Sequence, residues 1–254
     1  MAVSYHAIDG CATIAIDRPE VRNAINPEVA LGLEAGLDRA EADDGVRVVV
    51  ITGTPPAFCA GADLKAVGEG LGPALSTARG GFAGIVRYER TKPLIAAVDG
   101  PALAGGTEIV LACDLVVASK SARFGLPEVT RGLLASGGGL FRLARSLPRA
   151  VALQCALTGD PISAELAHHH GMVNLLSEPG GALADALELA QRITANAPVA
   201  VRETRAVMLE CAGQPESVGW ERSALANAIV MASEDSSEGV AAFIEKRSAV
   251  WTGR

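Results

Sequence analysis

Residues 46–52, VRVVVIT, are dense in β-branched side chains, and the chain leaves them for AFCAGADLKA, residues 57–66. A run of this kind reads as a buried strand. It empties into a turn of alanine, glycine and one cysteine. Residues with almost no side chain stand where a functional loop usually presents polar groups, so the useful atoms there belong to the backbone.

The surrounding chain alternates in the same manner. Strand-like segments fall at 12–16, 46–52, 94–98 and 114–118, and two short strands flank Asp9-Gly10 at the start. Helices are predicted over 27–42, with Asn26 as N-cap and Pro27 at the first position, and over 106–112. The glycine-rich, aperiodic GEGLGPALSTARGG (68–81) reads as a mobile loop, followed by a helix at 81–90. Beyond it, Leu183, Leu187, Ala190 and Ile193 mark one amphipathic helix, and Val218, Leu225, Ile229 and Ala232 another. The expected organisation is α/β: a core over 1–195 carrying the site, and a helical region over 196–254 whose spare apolar faces make subunit contacts. No internal sequence repeat or low-complexity tract is visible.

A chain of 254 residues with 49% hydrophobic content can bury a large core. Its net charge of −7 argues against a nucleic-acid surface, which needs a basic field. The most apolar stretch, LIAAVDGPALAGGTEIVLACDLVVAS, is interrupted by Asp99, Pro101, Glu108 and Asp114, so no membrane span is expected. The opening MAVSYHAIDGCATIAID lacks a basic n-region. Five cysteines, odd in number and without a CxxC pair, suggest reduced thiols, no zinc and a cytoplasmic location. Cys59 reads as a buried small hydrophobe rather than a nucleophile, since no histidine is near it in sequence.

In DGPALAGGTEIVLACDL (99–115), Gly105-Gly106 opens a helix and Glu108 follows three residues later. A helix N-terminus presents unpaired N–H groups and partial positive charge. Residues three apart share a helix face, so Glu108 can stand over whatever the Gly105 amide contacts. One backbone donor from each stretch, converging on one oxygen, would form an oxyanion hole, each donor worth about 2.7–4 kcal/mol in a transition state. Two tight turns with a capping glutamate describe the same residues, and local sequence does not choose between them.

A third stretch, ARFGLPEVTRGLLASGGGLFRL (122–143), places Glu128 in a loop and a glycine cluster at a helix entrance. With it the chain resembles the enoyl-CoA hydratase (crotonase) family nearly end to end. IDRPEVRNAIN (16–26) is similar to the family's RPxxxNAL element, AFCAGADLK (57–65) to its first oxyanion motif and PALAGGTEIVLACDLVVAS to its second. FGLPEV is similar to the second-glutamate segment, LTGDPISAELA (157–167) to the turn and helix after it, and EGVAAFIEKR (238–247) to the C-terminal helix.

The resemblance implies the ClpP/crotonase-like spiral of ββα units with C-terminal helices that build trimers or hexamers. It also implies the residue roles. The amides of Ala62 and Gly105 hold the thioester oxygen; Ala60, Asp63, Leu64 and Lys65 line the coenzyme A side; Glu108 and Glu128 are the catalytic acids. Phe243 and Lys246 reach the coenzyme A tail, from a neighbouring subunit. The expected reaction is reversible syn addition of water to a 2-trans-enoyl-CoA in fatty-acid or related acyl-CoA metabolism. Glu108 activates the water and Glu128 transfers the C2 proton. The acyl-CoA is substrate, and neither cofactor nor metal is expected.

The family's PGAGGTQRL stands here as ASGGGLFRL, with Ala135-Ser136 for Pro-Gly and Phe141 for Gln. Similar variants occur among members acting on functionalised acyl groups, such as carnitinyl-CoA dehydratases. Ser136 can still offer its backbone N–H to the water. A double-bond isomerase is a further alternative, although retaining both acids disfavours it. A non-catalytic acyl-CoA-binding protein would have no need of paired acids.

Four other signals lead elsewhere. His168-His169-His170 reads as a solvated helix end rather than a metal set. Pro55-Pro56 stands where a dinucleotide loop needs glycine. Ser136 lacks the flanking glycine of a hydrolase elbow, and Asp63 belongs to the motif loop rather than acting as a nucleophile.

Overall fold

The structure is a computed structural model and describes residues 2–254. A six-stranded sheet forms its centre. β1 (Val3–Ile8) and β2 (Cys11–Ile16) pair as an antiparallel hairpin across Asp9-Gly10, both with positive φ. β2 then pairs in parallel with β3 (Val48–Gly53), after the intervening helix α1 (Pro27–Ala42). The Asn26 side chain accepts the Val29 N–H, and Pro27 occupies the first turn, as the sequence predicts.

From β3 onward the chain repeats one unit. A sheet strand is followed by a short extended segment in a second layer, and then by a helical turn. After β3, Cys59 bridges to Ala102, and α2 (Leu64–Gly68) follows. The residues after α2 fold back as a two-strand hairpin, β4 (Ser76–Thr77) with β5 (Gly81–Phe82). β6 (Leu94–Val98) continues into β7 (Pro101–Leu103) and α3 (Gly105–Ala112). β8 (Leu115–Ser119) continues into β9 (Arg123–Gly125) and a 3-10 turn over Pro127–Arg131. The remaining segments are α4 (Gly139–Ser146), α5 (Arg149–Thr158), β10 (Ile162–Ser163), α6 (Ala164–His169), β11 (Leu175–Ser177) and α7 (Ala182–Thr194). Last come α8 (Pro198–Glu210), α9 (Glu216–Met231) and α10 (Glu234–Glu245). The large sheet runs β1-β2-β3-β6-β8-β11, and the small one β10-β9-β7.

Both faces of the central strands β3, β6 and β8 are covered, which is why these strands are continuous apolar runs, whereas the edge strand β1 is mostly exposed. Strand side chains alternate sides: Val49 and Ile51 face the main core with α1, whereas Val48 and Val50 face a second cluster. The Leu183–Leu187–Ala190–Ile193 stripe of α7 fills that second cluster, over Ile95, Ala97 and Val117. Among the described residues, no helix is long and apolar enough to cross a membrane.

Two expectations about the 68–90 region fail. Residues 68–81 are not an irregular loop: a 3-10 turn at Gly72–Leu75 leads into the β4–β5 hairpin, where Glu34 of α1 accepts hydrogen bonds from the Gly80 N–H, at 2.9 Å, and from the Thr77 hydroxyl. Residues 81–90 form no helix. Gly81, Ala83 and Gly84 all take positive φ, which breaks any helical path.

Candidate active site

The IDRPEVRNAIN segment is a brace for the loop after β3. Asn23, fully buried, donates from Nδ2 to the carbonyls of Thr54 and Ala57 at 2.8 and 2.7 Å. Arg18 reaches the Ala24 carbonyl at 2.6 Å and the Asp63 carboxylate at 3.1 Å. The loop then pairs with the brace residue by residue. Ala60 N–H donates to Arg22 O at 3.0 Å, Ile25 N–H to Gly61 O at 2.8 Å, and Asp63 N–H to Ile25 O at 2.9 Å. This leaves the Ala62 N–H with no acceptor among the described residues.

The second donor arises where β7 meets α3. Ala104 takes φ 51° and ψ −125°, a backbone state that costs a non-glycine residue about 1–3 kcal/mol. It is held there by its N–H to Gly125 O at 2.8 Å and by the Leu103 N–H to Cys59 O at 2.9 Å. The twist releases the Gly105 N–H from the β-ladder at the first position of α3, where no intrahelical acceptor exists. The two glycine stretches lie backbone against backbone. A Cβ on Gly61 would stand 3.0 Å from Gly105 N, and one on Gly106 would stand 2.2 Å from Cys59 O. Small residues are therefore a condition of this contact. Cys59 is fully buried and its thiol is pushed up to about 12 by burial; it is packing.

One turn into α3, Glu108 is only 4% exposed. Its Oε1 accepts the Gly139 N–H at 2.9 Å, and a Cβ on Gly137 would lie 2.6 Å from Oε2. The glycine cluster before α4 thus wraps the carboxylate in backbone. Burial raises the Glu108 pKa, and the N–H groups of Gly139 and Gly137, then Arg142, pull the other way. Glu128 comes from the 3-10 turn, with Oε2 buried and unpartnered. Its pKa is also raised, first by burial and further by the charge of Glu108. The charge of Glu108 thus disfavours the ionised form of Glu128.

These groups share one cleft of about 900 Å³, lined by Ala60, Ala62, Leu64, Gly105, Glu108 and Glu128 among others. Four expected residues are placed elsewhere. Asp63 caps α2, accepting the Lys65 and Ala66 N–H groups, and pairs with Arg18, so its carboxylate does not line the cleft. Lys65 is exposed outside the lining. Phe243 is 85% exposed on α10, beside a separate cavity of about 440 Å³ that it shares with Trp251. Lys246 follows at the α10 C-cap in a left-handed conformation. The sequence reading had missed Phe82, Arg142 and the β4–β5 hairpin, all of which contribute to the cleft. The histidine triplet closes α6, with His168 Nδ1 at 2.9 Å from Val173 O. Among the described residues, no group of three or more His, Cys, Asp or Glu could hold a metal.

Two spare amides in one cleft with a buried acid, Glu108, and a half-buried one, Glu128, describe an acyl-transfer or acyl-activating class of site. The enoyl-CoA hydratase/isomerase family matches residues 7–254, and the chain belongs to that family. It is 38% identical over 242 residues to the enoyl-CoA hydratase EchA19 of Mycobacterium tuberculosis, spanning 92% of this chain and 90% of the relative. It is 37% identical to the carnitinyl-CoA dehydratase of Salmonella typhi over 247 residues, 95% of this chain and 94% of that one. A crystal structure of an enoyl-CoA hydratase from Mycobacterium tuberculosis H37Rv superimposes with TM-score 0.96 at 44% identity, covering 100% of this chain and 99% of that one. The fold is therefore the crotonase spiral.

Proposed function

We propose that the protein is a hydro-lyase adding water reversibly across the double bond of a 2-enoyl-CoA, with Ala62 and Gly105 as the oxyanion donors. The observation that carries this reading is a buried acid, Glu108, and a half-buried one, Glu128, lining the same cleft as two unpaired amides. Hydrogen bonds to the thioester oxygen draw electrons from the conjugated bond, so C3 becomes electrophilic and C2 gains enolate character. Water attacks C3 as one carboxylate takes its proton, and the other acid supplies a proton to C2. We assign water activation to Glu108 and proton transfer at C2 to Glu128: two glycine N–H groups favour the ionised form of Glu108, whereas Glu128 has one backbone N–H, the opposing charge of Glu108 and one unpartnered oxygen. Dehydration reverses both steps. No group beyond the acyl-CoA itself is needed.

An uncharged acyl group suits the cleft better than a trimethylammonium one. Arg22, Arg87, Arg131 and Arg142 line it, and among the described residues Glu108 and Glu128 are its only acids. A fixed cation would meet like charge in a partly desolvated site.

The active form is a homotrimer or a pair of trimers built through residues 196–254, and it works in the cytoplasm. The support is the apolar surface of α9 and α10, argued below, and five free cysteines.

The test follows the loss of enoyl-thioester absorbance with crotonyl-CoA and longer 2-enoyl-CoAs. Glu108→Gln and Glu128→Gln should each lower kcat by roughly 10²–10⁴-fold. Turnover of 3-enoyl-CoA alone would make the protein an isomerase, and binding without turnover would make it a carrier.

A further inference from the structure

One aromatic residue of the cleft stands beside Gly105 and is not used by the mechanism. Phe82 ends β5, and its Cε1 and Cζ lie 2.3 and 2.5 Å from where a Cβ on Gly105 would be. The ring therefore rests on the α-carbon of the residue whose amide holds the thioester oxygen. Phe82 also lines the cleft. The cleft's other phenylalanine, Phe141, is 54% exposed at the rim with Arg142 and Arg145 stacked on it, and it closes nothing.

The mount of this ring is rigid. Ser76 pairs with Phe82 and Thr77 with Gly81, and Ala83 N–H donates to Leu75 O at 2.9 Å. Glu34 on α1 receives Gly80 and Thr77, and Arg79 reaches Asp38, also on α1, at 2.6 Å. A Cβ on Gly84 would stand 2.2 Å from Ala30 O, so the backbone after the ring is pressed directly on α1. The ring is thus carried on a hairpin bonded to α1.

We propose that Phe82 is the specificity-determining residue of this site, limiting the acyl group to short chains; this rests on the hydratase reading for the location of the thioester. With the carbonyl at Gly105, the Phe82 ring stands beside the acyl group where it enters the cleft. A side chain in a fixed position at that point discriminates by size, and a methylene more or less is typically worth about 10–200-fold.

The experiment measures binding of butanoyl-CoA and decanoyl-CoA by calorimetry to the wild type, Phe82→Ala and Phe82→Leu. These saturated esters cannot be hydrated, so the measurement is independent of turnover. The wild type should prefer butanoyl-CoA. Phe82→Ala should shift the affinity ratio toward decanoyl-CoA by roughly tenfold or more, and Phe82→Leu by an intermediate factor. If Phe82→Ala does not fold, as judged by circular dichroism, the Leu variant decides. Ratios within twofold of the wild type, or no binding of either ester, overturn the assignment. Crotonyl-CoA hydration by the wild type is assayed alongside. Binding with the expected pattern but no hydration would sink the reaction and leave the role of Phe82 standing.

Discussion

Glu108 and Glu128 differ by what their oxygens touch. Glu108 is held by the Gly139 N–H, whereas Glu128 Oε2 is buried without a partner. Burial raises both acids, Glu128 further through Glu108. An acid whose folded pKa lies above its unfolded value binds more protons folded than unfolded. Its contribution to stability therefore falls as pH rises from the ordinary glutamate range through the raised value, and stays a constant cost above that. Glu128→Gln keeps the shape of the protonated acid and removes that cost. The variant should melt above the wild type at pH 7, with the gap closing as pH falls to about 4, in scanning calorimetry across pH. A gap that widens on acidification would refute the sign. Glu108 is the poorer choice, since a Gln amide group would have to turn an N–H toward the Gly137 backbone. The two acids were legible because each stands at a fixed offset from a motif. Phe82 was not, because its importance comes from contact with Gly105, 23 positions away, and nothing around GGFAG announces it. The bonds of Asp63 were hidden for a related reason: one carboxylate serves equally to cap a helix or to line a pocket, and its ion-pair partner Arg18 lies 45 residues upstream.

Elements were legible where their signals were local. The cap and proline of α1 mark its start to the residue, and the β-branched runs mark β3, β6 and β8, because those strands are buried on both faces. The hairpin β4–β5 has two-residue strands, too short for any period, and its anchor Glu34 is supplied by α1. The repeated strand–strand–helix unit leaves no sequence repeat because its joints are backbone contacts between small residues, which many sequences satisfy. The attachment of α8 is a further long-range feature. Asp114, at the entrance to β8, accepts Arg90 at 3.0 Å, Arg205 of α8 at 2.9 Å and the Leu94 N–H at 2.8 Å. Arg205 also donates to Arg90 O at 2.7 Å. Arg205→Ala removes two of these bonds and leaves the Asp114 carboxylate with less compensation. The expected loss is about 2 kcal/mol, or roughly 4–8 °C in melting temperature at this chain length. An unchanged melting curve would show that packing alone holds α8.

At the scale of the whole molecule, the last helices carry many of the apolar side chains left outside. Leu225 and Ile229 on α9, with Val240, Phe243 and Ile244 on α10, are all exposed, although the α9 stripe has the spacing of a buried face. Exposed apolar side chains gathered on two helices that pack on each other mark a contact surface. A second copy of the chain is the occupant that needs no further component, and threefold closure satisfies each copy equally. The same arrangement would explain the distance of Phe243 from this chain's own cleft, since its contact with coenzyme A would then be made across the subunit boundary. These two ideas can be separated. Sedimentation should give three or six times 26.0 kDa for the wild type, and Leu225→Glu with Ile229→Glu should release subunits by placing charge in an apolar contact. If the tail is held across the boundary, the released subunit should lose affinity for crotonyl-CoA. It should keep its affinity for a crotonyl thioester of pantetheine, which lacks the nucleotide. Equal losses for both esters would mean that assembly shapes the catalytic cleft itself. A wild type that sediments at 26.0 kDa would refute the assembly outright.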